Sequence, residues 1–194
     1  MNHIHTLTAE QVARTAAVLS HPGLIRLVSE IDDNGPVERH MLQRIVADLT
    51  RHQIRHAIKT GRDHDLIRAG HHATPCYLLT DRGADLAEVY DQAARWARTH
   101  NYPAANSDFV TRVQHTLTLL GHELVHAALA GAENDTYTAA RVVDAGLLPD
   151  TETVLALHRP WAALSRWVRA NPSALPATAR CPFTTAASDM ECAA

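Results

Sequence analysis

The sequence predicts a mainly helical protein with one small β-hairpin. Apolar residues recur at three- and four-residue spacing through most of residues 8 to 170. Two of these runs open on Thr-x-x-Gln, a pattern that caps helices, and one pair of short strand-like runs flanks a Gly-His-His-Ala-Thr-Pro loop.

The first helix is predicted from Thr8-Ala9-Glu10-Gln11, where Thr8 can accept from a free backbone N–H and Gln11 can reach back; Val12, Ala16 and Leu19 form its stripe. His21-Pro22-Gly23 interrupts it. Leu24, Leu27, Val28 and Ile31 then repeat at helical spacing until Asp32-Asp33-Asn34-Gly35-Pro36 ends the element. From Val37 to Val46, residues Met41, Leu42 and Ile45 predict a second helix, and Ala47-Asp48-Leu49 predicts a turn. Thr50-Arg51-His52-Gln53 opens the next helix with the same capping chemistry.

Leu66 to Ala69 and Cys76 to Leu79 are the strand-like runs, joined by the loop 70–75. Thr80 caps a further helix with Leu86, Val89, Tyr90, Ala93 and Trp96 on one face, ended by Asn101-Tyr102-Pro103. In the second half, Val110, Val113, Leu117, Leu120 and Leu124 predict one long helix over 107–130. Two shorter helices are predicted at 136–146 and 151–170, the latter with Trp161, Leu164, Trp167 and Val168. Beyond Asn171-Pro172 the chain is rich in Ala, Ser, Thr and Pro and predicts a flexible tail. The expected organisation is an N-terminal domain over 1–104, a helical region over 105–171 and the tail over 172–194.

Composition narrows the function classes. No segment approaches the run of about 18 apolar residues that a membrane span requires, and the N-terminus lacks the pattern of a secretory signal, so a cytoplasmic location is expected. Cys76, Cys181 and Cys192 are an odd number without C-x-x-C spacing, which argues against a disulfide framework or a cysteine zinc site. The net charge of -3 supplies no global attraction to nucleic acid, so a DNA site must come from local clustering of cations. Only Lys59 among the 18 basic residues is lysine, a bias that with abundant alanine points to a GC-rich coding genome.

The halves also show a weak internal repeat. Val12-x-x-Thr15-x-x-x-Leu19-x-His21 aligns with Val113-x-x-Thr116-x-x-x-Leu120-x-His122 at an offset of 101 residues, and the segment around Trp96 resembles that around Trp167. Either the second half is a degenerate copy of the first, or two unrelated amphipathic helices coincide in a biased composition.

Reading DNA through a helix needs one face that docks on a scaffold and another that reaches base edges, with cations beside the phosphates. Residues 37–62 meet both conditions. At 100° per residue, Ile54, Ala57, Ile58 and Gly61 cluster on one side, and Arg51, Arg55, Lys59 and Arg62 fall within about 80° of each other on another. Thr50, Arg51, His52, Gln53, Arg55 and His56 stand near the start of the helix. Arg51, His52, Gln53 and Arg55 are candidates for base readout, since Arg pairs with guanine and Gln with adenine. Lys59 and Arg62 are candidates for phosphate contact, and His71 and His72, at the hairpin tip, for the backbone or minor groove. The plain alternative for such a stripe is a solvated face.

The order of elements decides between these. Leu49-Thr50-Arg51-His52-Gln53-Ile54-Arg55-His56-Ala57-Ile58, then Asp65-Leu66-Ile67-Arg68, then Tyr77-Leu78-Leu79-Thr80-Asp81-Arg82-Gly83-Ala84-Asp85-Leu86 resembles the winged helix-turn-helix regulators of the HxlR and MarR type. Tyr-x-Leu-Thr-x-x-Gly-x-x-Leu is its most specific part, and the resemblance covers roughly residues 12 to 100. It implies a winged helix with the hairpin as wing, and a homodimer placing two recognition helices on a roughly palindromic operator in double-stranded DNA. Redox-sensing relatives look to an N-terminal cysteine, which this chain lacks. The half after residue 105 is atypical, and dimerisation, a small-molecule effector or a partner contact are open roles for it.

His122-Glu123-Leu124-Val125-His126 matches H-E-x-x-H, in which two histidines on one helix face hold zinc while the glutamate polarises water. A chain with 14 histidines meets this pattern readily by chance. No family third-ligand motif follows, Glu133, Glu152 and His158 are unsupported candidates, and His115 would lie about 10 Å away along the helix. No phosphate-binding Gly loop, nucleophile elbow or paired-carboxylate motif is present. The expected function is therefore transcriptional regulation without a cofactor or metal and not an enzyme. The alternatives are a winged-helix-derived ligand-sensing or protein-interaction module, and a zinc metallopeptidase using His122, Glu123 and His126.

Overall fold

The computed structural model describes residues 7–71, 74–130 and 136–172. The chain is mainly helical, with one three-stranded antiparallel sheet. Helix α1 (Ala9–Leu19) starts at the expected capping box, with Thr8 Oγ1 accepting from Gln11 N and Gln11 Oε1 accepting from Thr8 N. Helix α2 (Pro22–Asn34) begins with its proline at the first helical position, where the missing N–H costs no intrahelical bond. It stops at Gly35, whose φ of 79° is easily adopted only without a Cβ.

The helix expected over 37–46 is corrected. Val37–Glu38 is strand β1, paired with Tyr77 and Cys76, and only Leu42–Ile45 is helical, as α3. Val37 is buried, and its ladder to a strand some forty positions away outweighs the local helical spacing of Met41, Leu42 and Ile45. Helix α4 (Arg51–Asp63) follows, then β2 (Ile67–His71) and β3 (Pro75–Leu79), which pair Ile67 with Leu79 through to His71 with Pro75. Sheet order is β1-β3-β2.

Helix α5 (Asp81–Thr99) is the hub of the fold, packing on α2, β3, α6 and α10. Tyr90 is fully buried in it and donates its hydroxyl to the Leu19 carbonyl at 2.9 Å, so a phenol in the core has an acceptor; burial raises its pKa. The Thr-x-x-Gly motif acquires a physical account here. Thr80 Oγ1 accepts from Gly83 N at 3.1 Å and donates to the Asp65 carbonyl at 2.6 Å, while Thr80 N donates to the Leu66 carbonyl. A Cβ at Gly83 would overlap the Leu66 carbonyl oxygen, so the start of α5 is pressed against the base of the hairpin.

Beyond α5, the single long helix expected over 107–130 is two: α6 (Phe109–Leu120) and α7 (Glu123–Ala130). The chain breaks at Gly121, which lies 3.2 Å from Ala16 Cβ and 3.3 Å from Ala13 Cα when given a Cβ, so α1 crosses the junction closely. Helix α8 (Thr136–Asp144) follows. The helix expected over 151–170 also divides, into α9 (Thr151–Ala156) and α10 (His158–Ala170). Pro160 explains this division: it has no N–H to give to the Ala156 carbonyl, and its ring disfavours a continuous helix there.

One continuous core joins both halves, with Trp96, Trp161 and Trp167 all buried in it. Arg112, 6% exposed, clasps the connection between α5 and α6 by donating to the carbonyls of Ser107, Ala97, Tyr102 and Ala105 at 2.7 to 3.2 Å. Among the described residues no helix is long and apolar enough to cross a membrane. The expected tail lies outside the described residues from position 173 onward.

Candidate nucleic-acid interface

Helix α4 is seated by the face the sequence assigned to packing. Ile54, Ala57 and Gly61 are buried and Ile58 is half-buried. Two glycines permit the close seat. Gly23 of α2 lies under Gln53 and Ala57, where a Cβ would come within 3.3 Å of the Gln53 carbonyl oxygen, and Gly61 itself faces the Ile67 side chain of β2. The opposite face carries Arg51, His52, Gln53, Arg55, His56, Lys59 and Arg62, all exposed. A rigidly docked helix thus presents four cations and two imidazoles outward.

These side chains are not equivalent. Thr50 and Gln53 close the capping box: Thr50 Oγ1 accepts from Gln53 N at 3.2 Å, and Gln53 Oε1 accepts from Thr50 N at 2.8 Å. Bidentate pairing with adenine needs both Oε1 and Nε2 of a glutamine, so Gln53 can do it only by giving up the cap. Arg55 turns back, donating Nε to the Arg51 carbonyl at 3.3 Å. Lys59 forms an ion pair with Asp63, and the lysine beside it holds the Asp63 carboxyl below its ordinary pKa. Arg51 and Arg62 make no ion pair within the chain among the described residues. The His56 ring lies 4.5 Å from that of His21, at the N-terminus of α2, and burial followed by repulsion from His56 lowers the His21 pKa.

The hairpin is tied to α4 at its base. Leu66 N donates to the Gly61 carbonyl at 2.7 Å, and the Asp65 and Leu66 carbonyls are held by Thr80. His71 ends β2, opposite Pro75, and His72 lies outside the described residues. Sequence reasoning missed three exposed cations on neighbouring elements: Arg39 after β1, Arg44 on α3 and Arg68 on β2. Arg39 stacks over the Tyr77 ring at 5.0 Å. Only Arg44 had a local signal, its place between Leu42 and Ile45.

In the H-E-x-x-H segment the two histidines hold unlike places, although His126 N donates to the His122 carbonyl at 2.9 Å. His122 precedes α7 and its Nδ1 accepts from Leu124 N at 3.3 Å, while His126 lies inside the helix, edge-on to Trp161 with ring centroids 5.0 Å apart. Burial lowers the His126 pKa, with a bond to the Leu7 backbone acting the other way. The break at Gly121 leaves His122 in a capping position. Among the described residues no group of three or more His, Cys, Asp or Glu side chains is placed to hold a metal. Glu152 and His158 are exposed, and Glu133 lies outside the described residues. Cys76 is a buried free thiol on β3.

Compared with known proteins, the chain matches no family model, no curated protein and no solved structure. What α4 and the hairpin can do must therefore be argued from their geometry.

Proposed function

We propose that this protein is a sequence-specific, DNA-binding transcriptional regulator built on a winged helix, with α4 as the recognition helix and β2 and β3 as the wing. The observation that carries the reading is the division of α4: a buried seat of Ile54, Ala57 and Gly61, and an exposed face of Arg51, Arg55, Lys59 and Arg62. Arg51 and Arg55, near the N-terminus of the helix, reach guanine edges in the major groove, with His52 beside them. Lys59 and Arg62, further along, meet phosphate; Lys59 exchanges its Asp63 partner for the backbone anion. The wing, tied to both α4 and α5, lies along the flanking backbone. The protein acts in the cytoplasm, where its DNA is.

Fluorescence anisotropy with a duplex from the protein's own upstream region, against a scrambled duplex of equal length, tests the reading. Preferential binding that weakens steeply with salt is expected. Equal binding to both duplexes, or none, overturns it.

A second reading, a ligand-sensing module, is favoured by a groove of about 690 Å3 between α2, α5 and α6. Phe109, Val110 and Leu49 supply apolar surface, and Asp32 and Asp91 line it with carboxyl pKa values raised by burial and by their acidic neighbours. Its chemistry suits an organic cation. A regulator whose DNA affinity shifts with such a compound would unite the two readings, whereas a thermal shift without DNA binding would leave only the second.

A further inference from the structure

The second half of the chain repeats the first in the register of its buried residues. In α1 the buried residues are Val12, Thr15, Ala16 and Leu19; in α6 their counterparts 101 positions on, Val113, Thr116, Leu117 and Leu120, are buried as well. Thr15 and Thr116 make the same bond, each donating Oγ1 at 2.8 Å to the carbonyl four residues back. Both helices end on the matching leucine, a histidine follows, and the next helices start at Pro22 and Glu123, again 101 apart. Later the offset becomes 71 and stays there. Leu86, Tyr90, Ala93, Trp96 and Ala97 of α5 match Leu157, Trp161, Leu164, Trp167 and Val168, every one buried.

Amphipathic helices share a period, so register alone would prove little. Spatial relations are the independent observation. A two-fold exchanging the halves relates α1 to α6 and α5 to α10, and both pairs are in contact. It must also match the contact of α2 with α6 by one of α7 with α1, and the contact of α5 with α6 by one of α10 with α1. All of these contacts are made, whereas the packing of α2 on α5 has no counterpart of similar extent between α7 and α10.

What the second copy has lost lies between α7 and α10. The counterpart of the recognition helix is α9, six residues long against thirteen in α4. Its sequence, Thr151-Glu152-Thr153-Val154-Leu155-Ala156, contains no Lys or Arg, and it is capped by Asp150. No strand stands among the described residues of this half. Helix α9 itself therefore offers no cation to a phosphate.

The second copy also covers the apolar stripes of α1 and α5, which pack on α6, α7 and α10 of the same chain. Among the described residues the one large hydrophobic side chain left exposed is Tyr137. A stable interface with a second chain buries about 1,600 Å2 around an apolar centre, and no comparable face remains among them.

We propose that the second half occupies the seat of a partner subunit, so that one chain is a built-in pseudo-dimer with a single reading half, and that its target is one asymmetric DNA half-site bound by one chain. This inference rests on the DNA-reading role of α4, and it replaces the homodimer on a palindrome that the family resemblance implies.

The test uses the full chain. Sedimentation equilibrium gives its mass in free solution, selection from a randomised duplex pool gives the preferred site, and native mass spectrometry on the selected duplex gives the stoichiometry. A one-chain mass, a contiguous motif without inverted repetition and one chain per duplex are expected. A free dimer, or an inverted repeat with half-sites one helical turn apart holding two chains, overturns the inference and leaves DNA reading intact. No enriched motif at all, with wild type and Arg51→Ala/Arg55→Ala behaving alike, overturns DNA reading and the half-site with it.

Discussion

Trp167 donates its indole N–H to the backbone carbonyl of Arg82 at 3.0 Å, so a side chain near the C-terminal end of the described fold closes the first turn of α5. That carbonyl belongs to the same turn that Thr80 caps and Gly83 presses against the hairpin. The bond therefore links the second half to the platform that positions the hairpin. Trp167→Phe keeps most of the buried ring and loses the bond, and we expect a loss of about 1 to 2 kcal/mol. Trp167→Ala opens a cavity and is expected to cost about 3 to 5 kcal/mol. Urea unfolding measures both; wild-type stability in Trp167→Phe would mean that the bond contributes nothing.

Gly83 and Gly70 offer a matched pair. At Gly83 the atom in the way of a Cβ is the backbone oxygen of Leu66, which cannot move without the hairpin, so Gly83→Ala is expected to cost more than about 2 kcal/mol. At Gly70 the nearest atom is the end of the Leu78 side chain, which can rotate, and Gly70→Ala should stay within about 1 kcal/mol of wild type. Chemical denaturation of the two variants side by side is the check, and a milder effect at Gly83 than at Gly70 would refute the account of the Thr-x-x-Gly motif.

Arg112 is a buried cation satisfied by carbonyl oxygens, with no carboxylate within ion-pair distance among the described residues. Its planar fork serves four acceptors that a lysine ammonium, a single point with three donors, cannot reach together. Arg112→Lys and Arg112→Ala should both destabilise, the alanine by about 3 kcal/mol because several carbonyls lose their partner at once. Full retention of stability in the lysine variant would contradict the geometric argument.

Stability should fall on mild acidification. Folding holds the pKa of His21 below its ordinary 6.5, by burial first and by His56 second. The unfolded chain then takes up the proton before the folded one does, so the contribution of His21 is complete above pH 6.5 and is lost progressively as the pH drops toward the folded value. His126 is lowered in the same direction. His21→Gln should flatten part of the pH dependence of the urea midpoint between neutral and mildly acidic buffer; an unchanged slope would rule out this origin.

Local chemistry made α4 legible from sequence. Thr50 and Gln53 announced its start, and Ile54, Ala57 and Gly61 its seat. The same capping box held a conflict, because one glutamine was given both the cap and a base to read, and the structure places its Oε1 on the cap. Strand β1 was hidden because its partners, Tyr77 and Cys76, are remote in sequence and two residues carry no period of their own. The break at Gly121 was hidden because Leu120 and Leu124 continue the stripe across it; the crossing of α1, which requires the glycine, is a tertiary fact. The contact between His21 and His56 was illegible for the same reason.

The central claim is that the exposed face of α4 binds DNA, and the salt dependence of binding tests it most directly. Affinity for a selected duplex should fall linearly with salt on logarithmic axes, each phosphate contact adding about 0.9 to the slope. Lys59→Ala/Arg62→Ala should weaken binding to all sequences and lower that slope by up to about 2, and Arg51→Ala/Arg55→Ala should remove the preference for the selected duplex over a scrambled one. Slopes and preferences that remain as in wild type in both double variants would contradict the claim.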